Sequence, residues 1–120
     1  MSPEHDWLSY CLELPGAWRD EPWDGDVVAK VGDKIFAFFG RVTDRGPESL
    51  GLKCGDREAA DLWLDRYPHA ASKMAYIGAH GWNRFSLDGT IPADELQDLI
   101  DASYAMVVAK LPKSRRPSAP

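Results

Sequence analysis

The residues best equipped to bind something lie between His69 and Asp88. Over 82–88, Trp82, Arg84 and Ser86 alternate with Asn83, Phe85 and Leu87. Successive side chains of a strand point to opposite faces. Phe85 and Leu87 form the apolar set and belong against a core, so Trp82 and Arg84 fall on the open face. Lys53, the polar partner of alternating Leu50, Leu52 and Cys54, is expected to share that face. So is Lys30, which is out of parity with Val27, Ala29 and Val31. Lys73, His80 and Asn83 lie close by in the chain. Ammonium and guanidinium groups with an indole on an uncovered sheet suit phosphate contacts and base stacking. The candidate nucleic-acid-binding set is therefore Lys30, Lys53, Lys73, His80, Trp82, Asn83 and Arg84. The competing structural account is a wet sheet face on which Trp82 shields its neighbours and the charges keep the protein soluble.

Other chemistries find less support. The sequence holds no phosphate loop, dinucleotide fingerprint, nucleophile elbow or zinc-protease pattern. His69 and His80 have no neighbouring cysteine, which argues against zinc. Glu4, Asp6, Glu13, Asp20, Glu21, Asp24 and Asp26 are hard oxygen ligands, but their scatter reads as a solvated face. No catalytic residue, cofactor or metal is assigned, and the chain reads as a binding protein rather than an enzyme. The alternative to DNA is a protein-interaction or small-ligand module using the same face. Metal binding through the acidic first helix and following loop ranks third.

These residues need elements to hold them. Ser2-Pro3-Glu4 has the form of a helix start, followed by Trp7, Leu8, Cys11 and Leu12 at helical spacing and stopped by Pro15-Gly16. Arg19 to Asp24 reads as a polar connection. Residues 26–31 and 34–39 flank Gly32-Asp33 as a tight hairpin. A strand is expected around Leu50–Cys54, then a helix over Gly55–Tyr67 with Ala59, Leu62, Trp63 and Arg66 on one face. A second hairpin, 72–77 with 82–88, turns at Gly78–Gly81. Pro92 opens a last helix whose stripe runs from Leu96 through Leu99, Ile100, Tyr104 (or Ser103), Val107 and Val108 to Leu111. The order α-β-β-β-α-β-β-α predicts an α+β fold, an antiparallel sheet with helices packed on one face.

The chain has 120 residues, 44% hydrophobic and 28% charged, which suits one folded domain. Residues 1–113 are read as the domain and 114–120 as a disordered basic tail. Cys11 and Cys54 cannot make a disulfide framework and read as buried thiols in a reducing compartment. No signal peptide and no membrane-length apolar run are evident, so the expectation is a cytoplasmic monomer without membrane contact. The net charge of −5 disfavours non-specific nucleic-acid binding. It is strongly segregated: residues 1–26 carry seven acids and one base, whereas 69–87 and 110–120 carry bases and no acid.

An ordered set of short motifs resembles one family. It comprises Glu21-Pro22-Trp23-Asp24-Gly25, Val28 through Ala37, Leu52-Lys53-Cys54, Arg66-Tyr67-Pro68, Gly81-Trp82-Asn83, Leu87-Asp88-Gly89, and Ile100–Tyr104 through Val107–Pro112. In order and spacing the set is similar to the MmcQ/YjbR family, over about residues 3–113. The resemblance implies a fold like that of bacterial frataxin (CyaY-like). It also implies DNA binding by a double wing of two hairpins, here the turn at Gly32-Asp33 and the loop Gly78–Gly81. The sequence departs from the pattern at Gly55-Asp56-Arg57, where the family often has proline after the capping acid. It departs again at His80-Gly81-Trp82, where His and Trp are split and the wing lacks lysine.

Overall fold

Val27 to Val31 and Ile35 to Phe39 are rich in β-branched and aromatic residues, which suit a pleated, half-buried surface. They form strands β2 (Asp26–Val31) and β3 (Lys34–Gly40), with Val31 opposite Lys34 across Gly32-Asp33. Gly32 has φ +60°, the left-handed value that this short turn requires. The computed structural model describes residues 6–44 and 46–117. Along the chain the other elements are α1 (Trp7–Leu12), β1 (Ala17–Trp23), β4 (Ser49–Lys53), α2 (Arg57–Arg66), β5 (Ala71–Lys73), β6 (Trp82–Ser86) and α3 (Ala93–Val108). Six strands make one sheet in the order β1-β2-β3-β4-β6-β5, every neighbouring pair antiparallel. The helices cover one face. Val27, Ala29, Val31, Phe39, Leu50, Leu52 and Phe85 are buried there against Trp7 and Cys11 of α1, Ala60 of α2, and Leu99 and Ile100 of α3. The α+β fold with helices on one side of an antiparallel sheet is thus the one the sequence predicts.

Several local expectations are corrected. The polar stretch after Gly16 is strand β1, paired to β2 with Trp18 opposite Lys30 and a register shift between Asp20 and Trp23. Its charges and Pro22 are poor strand formers in a sheet interior, but β1 is an edge, where such residues block further pairing. Asp6 caps α1, accepting from Ser9 N–H at 3.1 Å; the start expected at Ser2-Pro3-Glu4 lies outside the described residues. α2, expected from Gly55, starts at Arg57 and is capped by Asp56, which accepts from Ala59 N–H at 2.8 Å. The inward face of α2 is Ala60, Trp63, Leu64 and Tyr67, while Leu62 is 67% exposed.

The second hairpin is also shorter than expected. β5 holds three residues, and Ile77–His80 is a 3-10 turn. Before it, Tyr76 adopts φ 62°, ψ −64°, and Ile77 N–H donates to Ala75 O at 2.7 Å, a strained γ-turn. Of the expected tail, 118–120 lie outside the described residues, while 114–117 are described and follow α3 closely. Lys113–Arg115 forms a 3-10 turn, and the Arg116 guanidinium donates to Ala109 O and Leu111 O, capping the end of α3.

α3 has a specific task at the sheet centre. β3 and β4 pair only through Ala37–Leu52 and Phe38–Gly51, then splay apart. Ser103, wholly buried, closes that split: Lys53 N–H donates to its Oγ at 3.0 Å, and its hydroxyl donates to Phe36 O at 2.7 Å. One side chain satisfies two backbone groups that the ladder leaves unpaired.

Candidate functional site

Register decides which side chains share the open face. Lys53 stands opposite Trp82, Gly51 opposite Arg84, and Phe38 opposite both Gly51 and Val28. Lys30 follows Val28 by two positions. Directly paired residues project from the same side of a sheet, so Lys30, Lys53, Trp82 and Arg84 share a face, as the alternation predicts. Phe38 meets Trp82 edge to face at 5.4 Å, which holds the indole half-buried.

Sharing a face does not make one site, and the candidates separate into several environments. Lys30 pairs with Asp20 at 3.2 Å and lies 4.7 Å from the Trp18 ring centroid, so its charge is already partnered. Lys73 is paired with Asn83 and lies over Gly78, on the helix-bearing side of the edge. His80 is exposed at the end of its 3-10 turn, and its carbonyl accepts from Lys53 Nζ. Asn83 is 0% exposed and offers nothing to a ligand. It accepts from Arg57 Nη2 at 2.6 Å and donates to Ala60 O at 2.8 Å, which ties β6 to α2. Its parity with Phe85 already placed it inward, so its inclusion in the binding set is corrected.

Arg57 is a structural anchor of this region that the sequence does not single out. It also donates to Gly78 O and pairs with Asp61, both at 2.7 Å, so it clamps the loop after β5 onto α2. The turn is further fixed at Gly81 (φ +92°), where a Cβ would drive into the Gly55 carbonyl oxygen. The other turn is docked as well: Gly32 packs against Leu111, and its carbonyl accepts from Trp18 Nε1 at 2.9 Å. Both turns that the double-wing reading uses are thus tied to the body by specific contacts.

Two recesses adjoin this face. The first is a groove of about 400 Å³ where β3 and β4 splay, lined by Asp33, Lys34, Ile35, Lys53, Trp82, Met106, Val107 and Lys110. It combines three lysines and one acid with an apolar floor. Among the described residues neither Lys34 nor Lys110 has an ion-pair partner. Lys34 carries no signal of its own in the sequence, because its place beside Lys53 and Trp82 in one groove depends on the split; Lys110 stands out there only as one of the bases of residues 110–120. The second recess is a cleft of about 690 Å³ beside Arg84, on the far part of the same face.

No group of three or more His, Cys, Asp or Glu side chains is placed to hold a metal among the described residues. Among them too, no helix is long and apolar enough to cross a membrane. Cys11 and Cys54 are buried thiols, pushed up to about 12 and about 11 respectively, chiefly by desolvation.

The comparisons agree with this architecture. The chain is 32% identical over 111 residues to the uncharacterized protein YjbR of Escherichia coli, in both strain K12 and O157:H7, covering 91% of this chain and 90% of each relative. The crystal structure of Deinococcus radiodurans protein DR2400, described as a DUF419 domain, matches with TM-score 0.81 at 30% identity, over 97% of this chain and 86% of that one. The family model for YjbR matches residues 12–106, and the chain belongs to the YjbR family.

Proposed function

We propose that this protein is a non-enzymatic nucleic-acid-binding protein, with DNA as the ligand, and that the contact surface is the groove where β3 and β4 splay. The observation that carries the reading is the convergence of Lys34, Lys53 and Lys110 with the half-exposed Trp82 around one apolar floor. Lysines contribute sequence-independent phosphate contacts, and an indole offers a surface to a base. Lys113 and Arg115, exposed just beyond α3, extend the positive potential past Lys110. The half-exposed indole suits a single strand, whose unpaired bases can reach it.

Fluorescence anisotropy of labelled single- and double-stranded DNA tests it. Binding is expected at low salt, weakening on a log–log slope of about −2 from the three groove lysines and steeper by about 1 through Lys113 and Arg115. The Lys34→Glu/Lys110→Glu double variant should abolish it without lowering the melting temperature. No binding at about 20 mM salt removes nucleic acid from consideration.

A second reading, a protein-interaction module, is favoured by a different observation. Tyr76 is 100% exposed on a strained turn, and Trp23 is 56% exposed at the tip of the β1–β2 hairpin. Exposed aromatics of this kind anchor protein interfaces, and such binding would vary little with salt.

A further inference from the structure

The cleft beside Arg84 has features that the nucleic-acid reading does not use. Arg84 is half-buried, and its Nη1 donates to Ser49 Oγ at 2.9 Å. That is the sole acceptor for this guanidinium among the described residues, and no carboxylate there lies within ion-pair distance. Arginine has five N–H donors, so most of this fork points into the cleft unspent. The register builds hydroxyls around it: Ser72 stands opposite Arg84 on β5, and Ser49 stands opposite Ser86 across β4 and β6. Ser49 accepts from Arg84, which leaves its own proton to donate. Ser72 is exposed.

The rim has the opposite character. Glu48 and Asp88 also line the cleft. Asp88 is kept below the usual carboxylate range by hydrogen bonds from Thr90, with Ser86 adding to them. The cleft therefore has a donor-rich cationic end and an acidic end, with Pro47, Pro68 and Leu87 along its walls. Its volume, about 690 Å³, is in the range of small-molecule sites.

We infer that this cleft binds a small phosphomonoester whose body carries an amine or hydroxyls. The phosphoryl group would sit against Arg84, Ser49 and Ser72, and the donor-bearing end toward Glu48 and Asp88. A monoester dianion presents three acceptor oxygens, enough for a guanidinium and two hydroxyls; a planar carboxylate presents fewer. The inference does not rest on the nucleic-acid reading, since the groove of Lys34 and Lys110 is lined by different residues.

Nitrogen-15 NMR of the full chain at constant ionic strength tests it with three probes: inorganic phosphate, phosphoethanolamine and dimethyl phosphate. The Arg84 Nε–H and Ser72 amide signals should shift saturably with the first two, phosphoethanolamine binding tighter. The diester, which stands for a nucleic-acid backbone, should bind weakest. Arg84→Gln should weaken phosphoethanolamine about tenfold or more, the loss of charge-assisted hydrogen bonds. Ser72→Ala, an exposed change that leaves the fold intact, should weaken it about threefold. Lys34→Glu/Lys110→Glu should leave it unchanged. The site is refuted by the absence of saturable shifts, by equal affinity for the diester, or by affinity that follows the lysines instead of Arg84 and Ser72.

Discussion

Asn83 and Arg84 are adjacent in sequence and opposite in consequence. Asn83 is enclosed, with Arg57 and the Ala60 carbonyl as partners; Arg84 faces the cleft. Asn83→Ala should cost about 2–3 kcal/mol, because it leaves a guanidinium N–H and a buried carbonyl without partners. Arg84→Ala should change stability by no more than about 0.5 kcal/mol. Urea unfolding of the two variants measures both, and equal costs would mean that the strand's faces are misassigned. The buried thiols make a prediction about pH. Burial raises Cys11 to about 12 and Cys54 to about 11, while an unfolded thiol titrates near 9. The folded state therefore holds these protons where the unfolded state has lost them. Stability is full below about pH 9 and declines as pH rises toward 11 and 12. Denaturation midpoints between pH 8 and 11 should fall accordingly, and Cys11→Ala/Cys54→Ala should flatten that part of the dependence.

At the scale of elements, Ser103 is the side chain on which the sheet's continuity depends. Ser103→Ala removes the bridge between Phe36 O and Lys53 N–H. It should cost about 1–3 kcal/mol and speed amide exchange at Lys53 more than at Leu50. Uniform exchange would show that the split is held by packing alone. The same contrast explains what was legible in the sequence. The β2–β3 hairpin, the strand of Phe85 and the stripe of α3 could be read because hydrophobic period and turn chemistry agree there. β1 could not, since an edge strand gains its hydrogen bonds from β2 whatever its side chains are, and Arg19, Asp20, Glu21 and Pro22 argue for a loop. The second hairpin was overextended because Gly78 and Gly81 resemble a turn, while Arg57, distant in sequence, folds the segment down onto α2. Of the candidate site, the shared face of Lys53, Trp82 and Arg84 followed from alternation. The division of that face into a groove and a cleft did not, because it depends on where β3 and β4 part.

For the whole molecule, the distribution of charge matters more than its sum. The net charge is −5, yet the end of α3, the start of β3 and the end of β4 bring Lys110, Lys34 and Lys53 together. The acids Asp94 and Asp98 are exposed toward the other end of α3. A field arranged in this way can orient an anionic partner that a uniformly acidic surface would repel. Residues 113–117 then carry two separable roles. Arg116 is turned back onto Ala109 O and Leu111 O, so it serves the helix end. Lys113 and Arg115 remain exposed beyond it and serve the field. Arg116→Ala should lower stability by about 1 kcal/mol, the worth of hydrogen bonds at a helix C-terminus, and leave the salt slope of DNA binding nearly unchanged. Lys113→Ala/Arg115→Ala should do the reverse, keeping the melting temperature and reducing the slope by about 1 if these bases reach phosphates. Thermal melts paired with anisotropy at several salt concentrations separate the two. If both variants move the same observable, the end of the chain has a single role and its assignment to two is wrong.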